Sequence, residues 1–269
     1  ASVSRRQPRS HAEWRRESKH AGCELVGAGG HAADLEALLI AAEVLERLNL
    51  PRGACRVTLN HVEVFNGVAE RLALDADARE QLRQLVDRRD DAGLRDFLAA
   101  RPAGTSSGAA FEPRLTRLVG GREILDEARG RIRNARSSAA FDALEKLWRA
   151  IETLGLADLF ELDLGDVSGL DYYTGLVFKI YVEGAGARVG SGGRYDELTA
   201  NFGRREPAVG FVFDLDALTD LLSRRGDRTS AAVAAAAPVA EVNGANADEL
   251  FAEARRRRAA GERVRVKAQ

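Results

Sequence analysis

Three short stretches gather residue types that can handle a small polar ligand. Residues 168–178 read SGLDYYTGLVF, residues 190–198 read GSGGRYDEL, and residues 207–218 read PAVGFVFDLDAL. The first sets Asp171, Tyr172, Tyr173 and two glycines between apolar runs, the pattern of a strand entering a polar pocket. Adjacent tyrosines on a strand point to opposite faces, so one can serve the core while the other offers its hydroxyl to a cavity. Asp171, two residues before Tyr173, shares its face. The second stretch supplies Gly192 and Gly193, which let backbone approach a ligand closely, followed by Arg194, Tyr195 and Asp196. A carboxylate for an ammonium, phenols for a polar side chain and N–H groups for a carboxylate together suit a small zwitterion. On spacing alone, a glycine-rich hairpin with surface tyrosines and an Arg–Asp ion pair accounts for the same letters.

Other chemistries leave no signature. The four histidines form no HxH or HxxxH pair, and the two cysteines, Cys23 and Cys55, form no CxxC, so neither a metal site nor a disulfide framework is expected. P-loop and GxGxxG motifs are absent, and no cofactor is expected. A net charge of −1 argues against nucleic-acid binding by the chain as a whole. The Arg255–Arg258 run reads as a solvated helix face and favourable helix end, with no interleaved aromatics for a nucleic acid. No apolar run approaches the roughly 20 residues that span a bilayer, and no signal peptide is visible, so a cytoplasmic location is expected. The chain starts at Ala1 and contains no Met, which places the expected natural N-terminus further upstream.

The elements that must position these residues follow from periodicity. CELVGA (23–28) reads as a strand, and Leu35, Leu38, Leu39, Ala42, Leu45 and Leu48 mark a helix opening at Asp34 and closed by Pro51 and Gly53. CRVTLN (55–60) alternates as a half-buried strand. Residues 61–99 read as three helices, 101–108 as a loop, and 112–132 as helical with a Gly-Gly break. Ser138 is expected to cap a helix over 139–154, with Gly155 as its stop. Strands are then expected at 159–164, 176–182, 187–191 and 208–213, the last central because it is apolar on both faces, before a helix from Asp216. Strands joined by tight glycine turns, with helices elsewhere, imply an α+β layout built on an antiparallel sheet. The expected organisation is a core over 1–222 with a helical insertion at about 61–135. A low-complexity linker, or a weak strand plus loop, follows at 223–247, and then a short helix–strand segment at 248–269.

In order and spacing, GLDYYTGLVF, GGRYDEL and PAVGFVFDLDAL resemble the class II synthetase core of histidine–tRNA ligase and its relatives. Upstream, RESKHAGCE (16–24) and the helix after it resemble motif 2 and its following helix. The resemblance spans about residues 13 to 220 and implies an antiparallel class II sheet flanked by helices, with a helical insertion. It assigns Glu24, Asp171, Tyr172, Tyr173, Gly192, Gly193, Arg194 and Tyr195 to a histidine-like pocket. The departures are specific. Ser168 stands where the family has the arginine before GLDYY, and Ala217 where motif 3 has its arginine. Asp214 replaces a motif 3 glycine, and Ser18 and His20 replace the Phe and Gln of motif 2. A fixed cation that stabilises developing negative charge has no substitute in serine or alanine. Retained recognition with lost adenylation resembles the regulatory-subunit family of ATP phosphoribosyltransferase. That resemblance implies no catalytic residues in this chain, L-histidine as an effector, the short catalytic subunit as partner, and self-association through the core. The 22 residues after the linker are too few for an anticodon-binding domain. A diverged histidine–tRNA ligase fragment and a synthetase-like tRNA-sensing domain are the alternatives.

Overall fold

The computed structural model describes residues 2–4, 17–51, 53–100, 116–167, 172–225, 239–244 and 247–268. Strands β1 (Ser2–Ser4) and β2 (Glu17–Val26) lead into α1 (Gly30–Arg47), and β3 (Cys55–His61) follows. Then come α2 (Val62–Arg71), α3 (Ala76–Asp87), α4 (Asp91–Ala99), β4 (Val119–Gly120), α5 (Glu123–Arg131) and α6 (Ala135–Thr153). The chain continues through β5 (Phe160–Asp163), β6 (Leu176–Val182), β7 (Arg188–Arg194), β8 (Ala208–Asp214) and α7 (Leu215–Arg225). It ends with β9 (Val239–Gly244), α8 (Ala247–Ala259) and β10 (Arg263–Ala268).

One eight-stranded sheet runs β1-β2-β8-β7-β6-β3-β5-β4. Its pairings are antiparallel except β3 with β5, which are parallel. The long helical connection from α2 to α6 allows that exception, because a parallel pair needs a crossover rather than a hairpin. The fold is therefore α+β, with β8 inside the sheet between β2 and β7.

Several boundaries differ from the sequence-based expectation for local reasons. Helix α1 begins at Gly30, with Gly29 as an N-cap that offers no side-chain hydrogen bond. Asp34 consequently lies inside the helix instead of capping it. Strand β3 is buried on both faces from Val57 to Asn60, since β6 and β5 flank it and helices cover it. Asn134, not Ser138, caps α6, its side chain accepting from the Ser137 N–H at 2.8 Å. The α6 stop is as expected: Gly155 adopts φ 68°, its N–H reaches the Glu152 carbonyl at 3.0 Å, and the Leu156 N–H reaches Ile151 at 3.0 Å. Val119–Gly120, expected as part of a helix, instead forms β4 at the sheet's far edge. Strand β7 runs through to Arg194, so the glycines of GGRYD belong to a strand. Helix α7 extends to Arg225, and β9 occupies 239–244. The 101–108 loop lies outside the described residues.

The core is continuous from α1, through Leu82, Val86, Leu94 and Phe97 of α3 and α4, to α6 and the inner sheet residues Phe178, Phe211 and Phe213. At the C-terminal end, β9 and β10 pair in parallel across α8, and Phe251 of α8 joins the same core.

Candidate functional site

The candidate pocket is a row of residues crossing five strands in register. Glu24 of β2 faces Gly210 of β8, Gly210 faces Gly193 of β7, Gly193 faces Val177 of β6, and Val177 faces Asn60 of β3. The next row on the same face reads Gly22, Val212, Ser191, Lys179, Thr58. Two glycines side by side leave a trough in the sheet. A Cβ on Gly193 would stand 2.7 Å from the Tyr173 ring, and one on Gly210 would overlap the Glu24 carboxylate. The Tyr173 ring and the Glu24 carboxylate lie in this trough, over Gly193 and Gly210.

Above it the tyrosines form a cluster. Tyr172 and Tyr173 stack with ring centroids 4.2 Å apart, and Tyr172 meets Tyr195 edge-on at 6.4 Å. The Tyr195 hydroxyl donates to Glu24 Oε2. Burial, reinforced by the adjacent Tyr172 phenol, raises Tyr173 far above the ordinary phenol range. Burial and the Glu24 carboxylate do the same to Tyr195. Both phenols are thus neutral hydrogen-bonding groups at any physiological pH, beside a carboxylate.

Of the residues assigned from sequence, Glu24, Tyr172, Tyr173, Gly193 and Tyr195 are brought together. Gly192 and Arg194 are not, because successive strand residues alternate faces. A Cβ on Gly192 would meet Phe178 and Phe211 in the core. Arg194 turns to the helix-covered face, where it is 7% exposed. Its Nε donates to Asp34 Oδ1 at 2.8 Å, its Nη1 to Asp196 Oδ1 at 2.9 Å, and its Nη2 to the Gly30 carbonyl at 3.3 Å. Asp171 and Ser168 lie outside the described residues. The sequence reading missed Lys179, whose ammonium pairs with Asp166 one row from the trough. A single lysine within the apolar run LVFKIYV was the available signal. Among the described residues no group of three or more His, Cys, Asp or Glu side chains is placed to hold a metal ion. No helix among them is long and apolar enough to cross a membrane.

A family model described as histidyl-tRNA synthetase matches residues 1–218. The chain belongs to the histidyl-tRNA synthetase family. A relative from Geobacter sulfurreducens is 37% identical over 212 residues, covering 79% of this chain and 48% of its own. Another from Anaeromyxobacter dehalogenans is 40% identical over 214 residues, covering 79% and 60%. Both are named ATP phosphoribosyltransferase regulatory subunit. A solved structure from Bacillus halodurans, described as an ATP phosphoribosyltransferase regulatory subunit/histidyl-tRNA synthetase, has a TM-score of 0.73 at 27% identity. The match covers 100% of this chain and 66% of that one. The chain thus spans 48% and 60% of the length of these two curated relatives.

The histidyl-tRNA synthetase family likeness gives meaning to the junction of β8 and α7. Asp214 caps α7, accepting the Ala217 N–H at 3.0 Å, and Asp216 accepts the Lys19 N–H at 3.0 Å. The positive end of α7, a ready site for an anion, is already occupied by the chain's own carboxylate. The Ala217 methyl packs against the core. Within the two pocket rows the one cation, Lys179, is committed to Asp166. In this family's fold, therefore, the described pocket presents a carboxylate and phenols rather than a cluster of cations.

Proposed function

We propose that this chain is the synthetase-like core of an ATP phosphoribosyltransferase regulatory subunit, which binds L-histidine and does not adenylate it. The observation that carries the reading is the start of α7. Asp214 supplies an anion, and Ala217 a methyl, where a motif 3 arginine would meet triphosphate. Loss of one such electrostatic donor typically costs about 3–4 kcal/mol of transition-state stabilisation. An added carboxylate deepens that loss. The acid and phenols of the trough suit a small amino acid: Glu24 for an ammonium, and Tyr173 and Tyr195 for polar side-chain atoms. The names of the relatives support a pairing with that enzyme's catalytic subunit. The chain acts in the cytoplasm in a hetero-oligomer with the short catalytic subunit, self-associates through its core, and conveys feedback control by histidine. For that control, histidine must bind the inhibited complex better than the active one.

Calorimetry with L-histidine, and separately with the short catalytic subunit, tests the proposal. Binding of both is the expected result, and binding of neither overturns it. Histidine-dependent exchange of pyrophosphate into ATP would overturn the non-catalytic part and favour a histidine–tRNA ligase instead.

A further inference from the structure

We propose that Asp34 and Arg194 are positioning residues for the pocket, acting from the opposite face of the sheet to hold Tyr173 and Tyr195 in place. This rests on the reading of the trough as a ligand pocket. The argument begins with what flanks each tyrosine. Arg194 immediately precedes Tyr195, and Thr174 immediately follows Tyr173. The Arg194 carbonyl accepts the Thr174 N–H at 2.7 Å, and the Asp196 N–H donates to Thr174 Oγ1 at 2.9 Å. Asp196 Oδ1 accepts from Arg194 at 2.9 Å and from the Ala208 N–H at 3.0 Å, while the Tyr195 N–H donates to the Ala208 carbonyl at 2.8 Å. One closed network thus pins the backbone on either side of the two pocket phenols.

The network is anchored to α1 through the Arg194 guanidinium, which reaches Asp34 at 2.7 Å and the Gly30 carbonyl at 3.3 Å. Burial works against the charge on Arg194, yet Asp34 and Asp196 together hold the guanidinium above its usual value. A planar fork can satisfy two carboxylates and a carbonyl at once, which an ammonium cannot. With the fork removed, the segment carrying Tyr195 loses its tie to α1, and the Tyr195–Glu24 hydrogen bond loses its fixed geometry.

The chain offers its own reporter. It has four tyrosines, and three of them, Tyr172, Tyr173 and Tyr195, form the pocket cluster; the fourth is Tyr181 on β6. Tyrosinate absorbance during an alkaline titration therefore reads the pocket without any ligand. Two variants suit the test. Arg194→Lys keeps the charge but not the fork, and Asp34→Asn/Arg194→Gln removes both charges so that neither is left orphaned. In the parent chain, Tyr173 and Tyr195 are expected to stay protonated until the fold is lost. In each variant that keeps its far-ultraviolet circular dichroism, at least one of them is expected to ionise in the ordinary phenol range, with L-histidine affinity reduced tenfold or more. A folded variant with the parent titration overturns the proposal. Loss of the fold in both variants also overturns it, because the network would then be simply structural. If the parent chain fails to bind L-histidine, the pocket's ligand reading fails, and the titration alone still decides the positioning role.

Discussion

Gly210 and Gly193 shape the candidate pocket by having no side chain. A methyl on Gly210 would occupy the space of the Glu24 carboxylate and drive it off Tyr195. Gly210→Ala is therefore expected to weaken L-histidine binding by at least tenfold, about 1.4 kcal/mol, by calorimetry on a chain that still melts cooperatively. Unchanged affinity would remove Glu24 from the ligand's contacts. Tyr195→Phe leaves ring and volume but deletes the donor to Glu24, and a loss of similar size is expected. The clustering of Glu24, Tyr173, Gly193 and Tyr195 in this candidate site was legible in the letters, since they stand in the motifs that marked them. The direction of Arg194 was not. With the strand ended at Ser191, the GGR that follows had no assigned faces. Once β7 is seen to continue to Arg194, period-two alternation sends Gly193 to the trough and Arg194 to α1.

At the scale of elements, two helices are fixed by groups other than their own apolar stripes. His61 caps α2, its Nδ1 accepting the Glu63 N–H at 3.2 Å. Burial, with the nearby Arg194 charge, lowers His61 to about 4. The folded value lies below the ordinary one near 6.5, so the stabilisation is fully present above about pH 6.5 and is lost as pH falls from there towards 4. Its full size is about 3 kcal/mol. Thermal melts across that window should show the fall, and His61→Asn, a neutral cap, should flatten the profile. A parent profile with no fall would refute the buried neutral imidazole. Gly67 lies on α2 where the α6 cap touches it: a Cβ there would strike Asn134 Oδ1 and Ser137 Oγ and stand 3.0 Å from the Ser137 N. Alanine would gain up to about 1 kcal/mol of helix propensity. The overlap with the fixed α6 cap costs about 1–3 kcal/mol, so Gly67→Ala should lower the melting temperature. The helices themselves were readable from periodicity. The parallel pairing of β3 with β5 and the two-residue β4 were not, because each depends on a partner brought back by the helices between them.

Across the whole molecule, the arginine run of α8 divides between acids on α1 and a solvated face that holds Arg256. Arg258 meets Glu43 and Arg255 meets Glu46, both on α1, while Arg256 and Arg257 pair with Glu253 in their own helix. The Arg258–Glu43 pair is 20% and 16% exposed, so it is only partly screened by salt. Arg258→Glu sets like charges against each other at this seam. Hydrogen exchange is expected to quicken across β9, α8 and β10 and to stay unchanged in β6 to β8. Equal protection in the variant would show that Phe251 and its apolar neighbours seat α8 alone. The pairing of Arg255 and Arg258 was hidden in the run because their acidic partners on α1 lie some two hundred residues earlier in the chain. The same distance governs the pocket. Glu24 and Gly210, which face each other across β2 and β8, are made 186 residues apart. At about 5–20 residues per second, β2 waits roughly 10–40 s on the ribosome before β8 emerges to pair with it. Throughout that interval one wall of the pocket exists and its floor does not, so a nascent chain shorter than about β8 has no site for ligand to stabilise. Ligand can favour this fold only after β8 has been made.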